Sequence, residues 1–298
     1  MIVVSVIAAL CAAVSNSLAS YFQQGADKRL PGDESVPLSQ VPRLFAQPRW
    51  LLGQVFDISA FLLQAVALAF GTLVFVEPLL AMSLPVTVGV RSWSARRWPG
   101  RLGVTGSLFS VIGMAAFLAT ARPTPGSSTI SGGEILALGI SVAVILGGTL
   151  GAAAATRGNA RAVAFAAGAA TVYGVTAGLT KVVTGQIQSS GVLEPLQHWP
   201  LYTAVVSGVT GVLLTQNALK PGALAVPVAV ITMGDPLVSI AIGLLWLGET
   251  VTSSPWAIVV EVITVLVMAT GVVLLAHQSE SASAPTGDQH RDNEPSRT

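Results

Sequence analysis

Residues 50–80 read WLLGQVFDISAFLLQAVALAFGTLVFVEPLL. From Trp50 to Phe70 only Asp57 is charged, and an apolar helix of about 20 residues is as long as the hydrocarbon core of a bilayer is thick. Gly71 and Thr72 interrupt the run, and a second apolar stretch follows at once. The segment therefore predicts two membrane crossings joined by a tight break. Working outward, similar runs at about 2–23, 50–70, 72–91, 102–121, 134–155, 162–183, 199–219, 222–249 and 255–276 predict nine transmembrane helices. The fold class is an all-α polytopic membrane protein.

Composition agrees with the pattern. Of 298 residues, 52% are apolar and 10% charged, against roughly 25% charged in soluble chains. That excludes an ordinary water-soluble protein. The net charge of +1 gives no global excess to attract nucleic acid, so the expected partners are the lipid bilayer and a small solute, with a homodimer left open. The single cysteine, Cys11, excludes an intrachain disulfide.

The first run begins at Met1-Ile2 with no preceding Lys or Arg and no small-residue cleavage site, which reads as a retained helix. Residues 24–49, with Pro31, Pro37, Pro42 and Pro48, form the longest internal loop, and the polar tail from Ser279 reads as disordered. With the N-terminus outside and the C-terminus inside, 13 of the 15 Lys and Arg residues fall on cytoplasmic segments, leaving only Arg122 and Lys181 outside. The positive-inside bias selects that orientation in a plasma membrane. Trp50, Trp199, Trp246 and Trp256 sit at the expected helix ends, where indole suits the interface.

The chain echoes itself. Ala67-Leu68-x-x-Gly71-x-Leu73 recurs as Ala218-Leu219-x-x-Gly222-x-Leu224, and Glu77-Pro78-Leu79-Leu80 as Asp235-Pro236-Leu237-Val238. The echoes lie in the second and third helices and in the seventh and eighth. Five crossings separate them, so the two halves would be inverted with respect to each other, as in many secondary transporters. The domains expected are 1–155, 156–277 and a cytoplasmic tail 278–298. Prolines 78 and 85 in one half and 227 and 236 in the other interrupt matching helices, which points to a midplane site.

A carboxylate in the bilayer needs a partner, a proton or a wet cavity. Asp57 shares a face with Gln54 and Gln64, and Asp235 lies deepest, with Thr232 and Ser239 beside it. Glu77 and Glu261 read as shallower, with an interfacial role open to both, and Glu249 and Glu134 as solvated or capping groups. Asn16, Ser20 and Gln23 form a stripe on the first helix, and Tyr173, Thr176, Thr180 and Thr184 one on the sixth. Each stripe serves a site or hydrogen-bonds between helices. Lys181 is placed to snorkel outward, and Gly147, Gly148, Gly151 and Ala152 to Ala155 read as close helix packing.

His198, His277 and His290 all lie at helix ends or in the tail, so no intramembrane histidine dyad or metal site can be built, and no Walker A loop is present. Clustered aspartates for prenyl transfer are missing too, which argues against an enzyme and leaves no cofactor expected.

Trp50-Leu51-Leu52-Gly53, Asp57, Phe61, Gln64 to Leu68, Gly71 and Pro78-Leu79-Leu80 resemble the second and third helices of the drug/metabolite transporter superfamily, in its bacterial NIPA-like, EamA-related branch. Gly168, Leu179-Thr180-Lys181, Gln216-Asn217-Ala218-Leu219, Gly222, Leu224, Asp235-Pro236-Leu237, Gly243 and Gly248-Glu249 resemble its later helices. The resemblance implies two inverted bundles around a central cavity, working by alternating access. Nine helices instead of the superfamily's common ten resemble the NIPA-like members, reported as magnesium transporters in animals. The candidate substrate or ion ligands are Asp57, Asp235, Gln54, Gln64, Asn16, Glu77, Tyr173, Gln216 and Asn217. Acidic groups outnumber basic ones inside the helices, so a cationic or neutral metabolite is the leading substrate class. The alternatives are magnesium held by Asp235 and Asp57, and a membrane scaffold that transports nothing.

Overall fold

The structure is a computed structural model that describes residues 1–27, 47–126, 132–219, 225–251 and 254–283. Lys28, Arg29, Arg43, Pro31, Pro37, Pro42, Lys220, Gly222, Leu224, His290, Arg291 and Arg297 lie outside the described residues, as does the side chain of Glu134.

Among the described residues the elements are α1 (Ile2–Asp27), α2 (Pro48–Phe70), α3 (Leu73–Leu80), α4 (Ser83–Ser94), α5 (Arg101–Ala121), α6 (Gly132–Ala155), α7 (Gly158–Ser190), a short 3-10 turn (Glu194–Gln197), α8 (Trp199–Ala218), α9 (Ala225–Leu245) and α10 (Pro255–Ser283). Taking α3 and α4 together, eight spans are long and apolar enough to cross a membrane. The exception is α8, which is 20 residues long but diluted by Thr203, Ser207, Thr210, Thr215, Gln216 and Asn217.

Several boundaries differ from the hydropathy reading for identifiable reasons. The helix expected over 72–91 is two pieces, because Pro85 has no N–H to donate to Ala81 and the chain tightens there, with Met82 N donating to Leu79 O at 3.1 Å. The helix expected over 162–183 runs for 33 residues, and the last extends to Ser283, past the start of the expected tail. At the other end of α9, helix stops at Leu245, and Gly248 turns the chain with φ 61°. A left-handed Arg122 followed by Pro123 ends α5. The four tryptophans named above fall at helix ends as expected.

Packing joins α1 to α2 and to the α3–α4 pair, α7 to α8 and α9, α3 to α9, and α5 to α10. Glycines let the last pair approach closely: a Cβ on Gly271 would stand 2.5 Å from Ser110 N and 2.6 Å from Gly106 O, and one on Gly113 2.7 Å from Met268 N. The glycines of α6 do nothing similar. A Cβ on Gly147, Gly148 or Gly151 would meet nothing within 4 Å, so the expected packing role is corrected for them. Helix α6 presents them outward, and only Ala153 of its last residues is buried. The largest core cluster, with Ala9, Leu68, Leu73, Val76, Leu179, Ile242 and Leu247, sits around the α2–α3 break.

Candidate functional site

The break at Gly71-Thr72 starts a new helix, and Thr72 caps it by accepting from Phe75 N at 3.2 Å. One turn on, α3 turns Glu77 inward. Glu77 is 1% exposed, and its Oε1 accepts from Gln64 Nε2 of α2 at 3.1 Å. Helix α3 packs on α9, which carries Asp235 within electrostatic range of Glu77. The two acid-Pro-Leu segments of the sequence echo thus lie on contacting helices. Ser239 Oγ donates to Asp235 Oδ1 at 3.4 Å, and Asp235 retains accessible surface although it lies deep among the helices.

Asp57 is held by its neighbour α1: Gln23 Nε2 donates to Asp57 Oδ2 at 2.5 Å. Gly53 makes the approach possible, since a Cβ there would be 2.7 Å from Gln23 Cγ. Tyr173 of α7 feels the charges of both Asp235 and Asp57. Its hydroxyl accepts from Thr215 Oγ1 of α8 at 3.2 Å, and its ring occupies the notch of Gly211, whose added Cβ would be 2.6 Å from Tyr173 Cε1. No Lys or Arg charge acts on Asp57, Glu77 or Asp235 among the described residues. Nor do three His, Cys, Asp or Glu side chains converge there to hold a metal ion.

Exposure changes along single helix faces of this region. Ser5, Ala9, Ala12 and Asn16 follow helical spacing on one stripe of α1; the first three are buried and Asn16 is exposed. On α7, Tyr173 and Thr176 are partly accessible, whereas Thr180 and Thr184 on the same face are buried. On α9, Val228, Thr232 and Asp235 are partly accessible, and Ser239 and Ile242 beyond them are buried. On these stripes the residues toward Gly71 are buried while Asn16, Tyr173, Thr176, Thr232 and Asp235 keep accessible surface, and on α7 Ala166 and Ala169 are buried again.

The other expected ligands fall less centrally. Gln54 lies on α2 near Asp57, partly exposed. Gln216 is exposed, and Asn217 Nδ2 donates to Leu213 O of its own helix at 2.8 Å. The threonine stripe of α7 does not bond between helices: Thr176, Thr180 and Thr184 donate to Val172 O, Thr176 O and Lys181 O at 2.8, 2.7 and 2.9 Å. Glu261 stands on α10, with its Oε1 enclosed and unpartnered.

Two charged residues have partners that the sequence reading did not identify. Lys181 does not snorkel. Its Nζ donates to Leu68 O at 2.6 Å and Gly71 O at 2.5 Å, at the C-terminal end of α2. Of the two roles expected for Glu249 it takes the capping one and not the solvated one: it is 3% exposed and caps α3, distant in sequence, accepting from Leu73 N at 2.8 Å and Val74 N at 3.1 Å. Burial pushes the Glu249 carboxyl above its ordinary range, opposed by those two N–H groups and by Lys181. The signal in the sequence was a broken apolar helix that leaves backbone groups unpaired, together with two opposite charges near helix ends.

No family model matches the chain, and no solved structure does. The chain is similar to an uncharacterized protein of Corynebacterium glutamicum, 24% identical over 293 residues that cover 96% of this chain and 98% of the relative. The similarity is thus collinear from end to end.

Proposed function

We propose that this chain is a secondary transporter of a small cationic or neutral metabolite, working by alternating access between two inverted halves. The observation that carries the reading is the placement of Asp57, Glu77 and Asp235. Among the described residues no Lys or Arg charge acts on any of the three; Glu77 is buried where α3 packs on α9 of the other half, Asp235 on α9 and Asp57 on α2 keep some accessible surface, and Asp57 is bonded to Gln23 of α1. Such groups are costly in a bilayer unless a proton, a solute or water satisfies them, and a packed scaffold has no use for them.

Inversion is supported by the packing pattern. The contacts of α1 with α2 and with the α3–α4 pair have counterparts in those of α7 with α8 and α9, five spans later. The α3–α9 and α5–α10 contacts each map onto themselves under the same shift. The bias of Lys and Arg assigns the Asp57 end to the cytoplasm of a plasma-membrane protein. The likeness to the drug/metabolite transporter superfamily rests on the residues quoted for it. Tyr173 gives the site an aromatic face suited to an organic cation.

Uptake by proteoliposomes, with and without a pH gradient, tests the proposal against a panel of amines, neutral metabolites and magnesium. The expected result is saturable uptake of one organic solute, lost in Asp235→Asn and in Glu77→Gln. Magnesium flux insensitive to pH and lost in Asp235→Asn would install the divalent-cation reading instead. No flux of any solute from a folded protein would leave the scaffold.

A further inference from the structure

We propose that Lys181 and Glu249 form a gate that holds the Gly71 end of the molecule shut, and that releasing them from the α2–α3 break opens this end. The inference deepens the transporter reading, on which its purpose rests.

The break exposes backbone groups on both sides of Gly71. At the end of α2, Ala67 O accepts from Ser5 Oγ at 2.8 Å, Leu68 O and Gly71 O from Lys181 Nζ, and Ala69 O from Gln188 Nε2 at 2.9 Å. At the start of α3, Leu73 N and Val74 N donate to Glu249. Lys181, Gln188 and Glu249 come from the second half of the chain, whereas the break belongs to the first. A cation thus sits at a helix C-terminus and an anion at a helix N-terminus, each with the sign the helix dipole favours, and the two attract each other.

The surroundings fit a closed end. Gly243 leaves room for the carboxylate, because a Cβ there would stand 2.6 Å from Glu249 Oε2. Beside Glu249, Thr250 pairs with Thr124 across the two halves, with Thr124 N donating to Thr250 O at 2.9 Å, Thr250 N to Thr124 O at 3.3 Å, and the two hydroxyls bonded to each other. No cross-half clamp comparable to this one joins the described residues around Asp57, whose bond is to Gln23 of the same half. Separating the halves at the Gly71 end strips backbone groups of their partners, so the clamp sets which end opens.

Cysteine labelling of the full chain in nanodiscs tests this without knowledge of any substrate. In a Cys11→Ser background, Thr184→Cys reports the Gly71 end and Gln54→Cys the opposite end. Adding Lys181→Met or Glu249→Gln is expected to raise the maleimide rate at Thr184→Cys by about tenfold or more, given two carbonyls or one N–H left unpaired, and to lower it at Gln54→Cys. Lys181→Arg should restore the parent rates. Unchanged rates, or rates that rise together at both ends, would overturn the gate. A second measurement avoids the clamp variants altogether. Oxidising a Thr124→Cys/Thr250→Cys pair to a disulfide should abolish solute uptake, and reduction should restore it. Uptake unaffected by complete cross-linking would refute the gate while leaving the transporter reading standing; reciprocal labelling with no uptake of any solute would do the reverse.

Discussion

Glu249 is the residue whose removal the structure prices most directly. Its two carboxylate oxygens accept from Leu73 N and Val74 N, and the residue is buried. Each buried N–H left without an acceptor costs about 1–3 kcal/mol, so Glu249→Ala should destabilise the protein by about 2–6 kcal/mol. Glu249→Gln keeps one carbonyl acceptor and should cost about half as much. Gly243→Ala leaves Glu249 in place but puts a Cβ 2.6 Å from its Oε2 and 3.3 Å from Leu73 Cβ. Overpacking of that kind costs about 1–3 kcal/mol. Since both changes break the same contact, the double variant Gly243→Ala/Glu249→Ala should fall short of the sum. Reversible denaturant unfolding in mixed micelles, followed by tryptophan fluorescence, measures all four. Glu249→Ala lying within about 0.5 kcal/mol of the parent, the range of ordinary surface substitutions, would refute the reasoning. So would Gln costing more than Ala.

The same side chain gives a pH signature. Its folded pKa is raised from the ordinary 4.5 by burial, so its contribution to stability is fully present below 4.5 and is lost as pH rises through the raised folded value. Stability of the parent should fall across that window relative to Glu249→Gln, which has no carboxyl to ionise; parallel curves would reject the assignment. At the α5–α10 crossing, Gly271→Ala drives a Cβ into Ser110 N and Gly106 O; a loss of about 1–3 kcal/mol is expected in the same unfolding assay. Gly211→Ala pushes the Tyr173 ring from its notch, and should raise KM for bulky solutes more than for small ones in uptake assays. Glu77→Gln and Asp235→Asn act on one electrostatic unit, so the double variant should lose little more uptake than either single one, and additive losses would separate them.

Much of the fold was legible because membrane insertion reads a local and additive property. Hydropathy over about 20 residues marks a span wherever the rest of the chain goes, and it located the described spans, eight of them long and apolar enough to cross a membrane and α8 not, but not the break inside 72–91. The cost of a carboxylate in lipid is equally local, which is why Asp57 and Asp235 stood out before any geometry was known. The echo of Glu77-Pro78 in Asp235-Pro236 could be read as well, though not that α3 and α9 pack together.

Partners could not be read. Leu73 and Val74 find their acceptor in Glu249, 176 and 175 positions away, and Lys181 reaches Leu68 across 113. Which distant group satisfies a broken helix depends on how helices stack, and stacking follows from shape, such as the notches at Gly71, Gly211 and Gly243. The same holds for exposure: Ser5 and Asn16 share one stripe of α1, but only the neighbours supplied by other helices bury the first and leave the second open. The chain's own residues thus determined that it spans a membrane and carries acids there. Tertiary packing alone decided which acids lie near one another, which is locked to backbone, and which keep accessible surface, because those depend on distances between segments far apart in sequence.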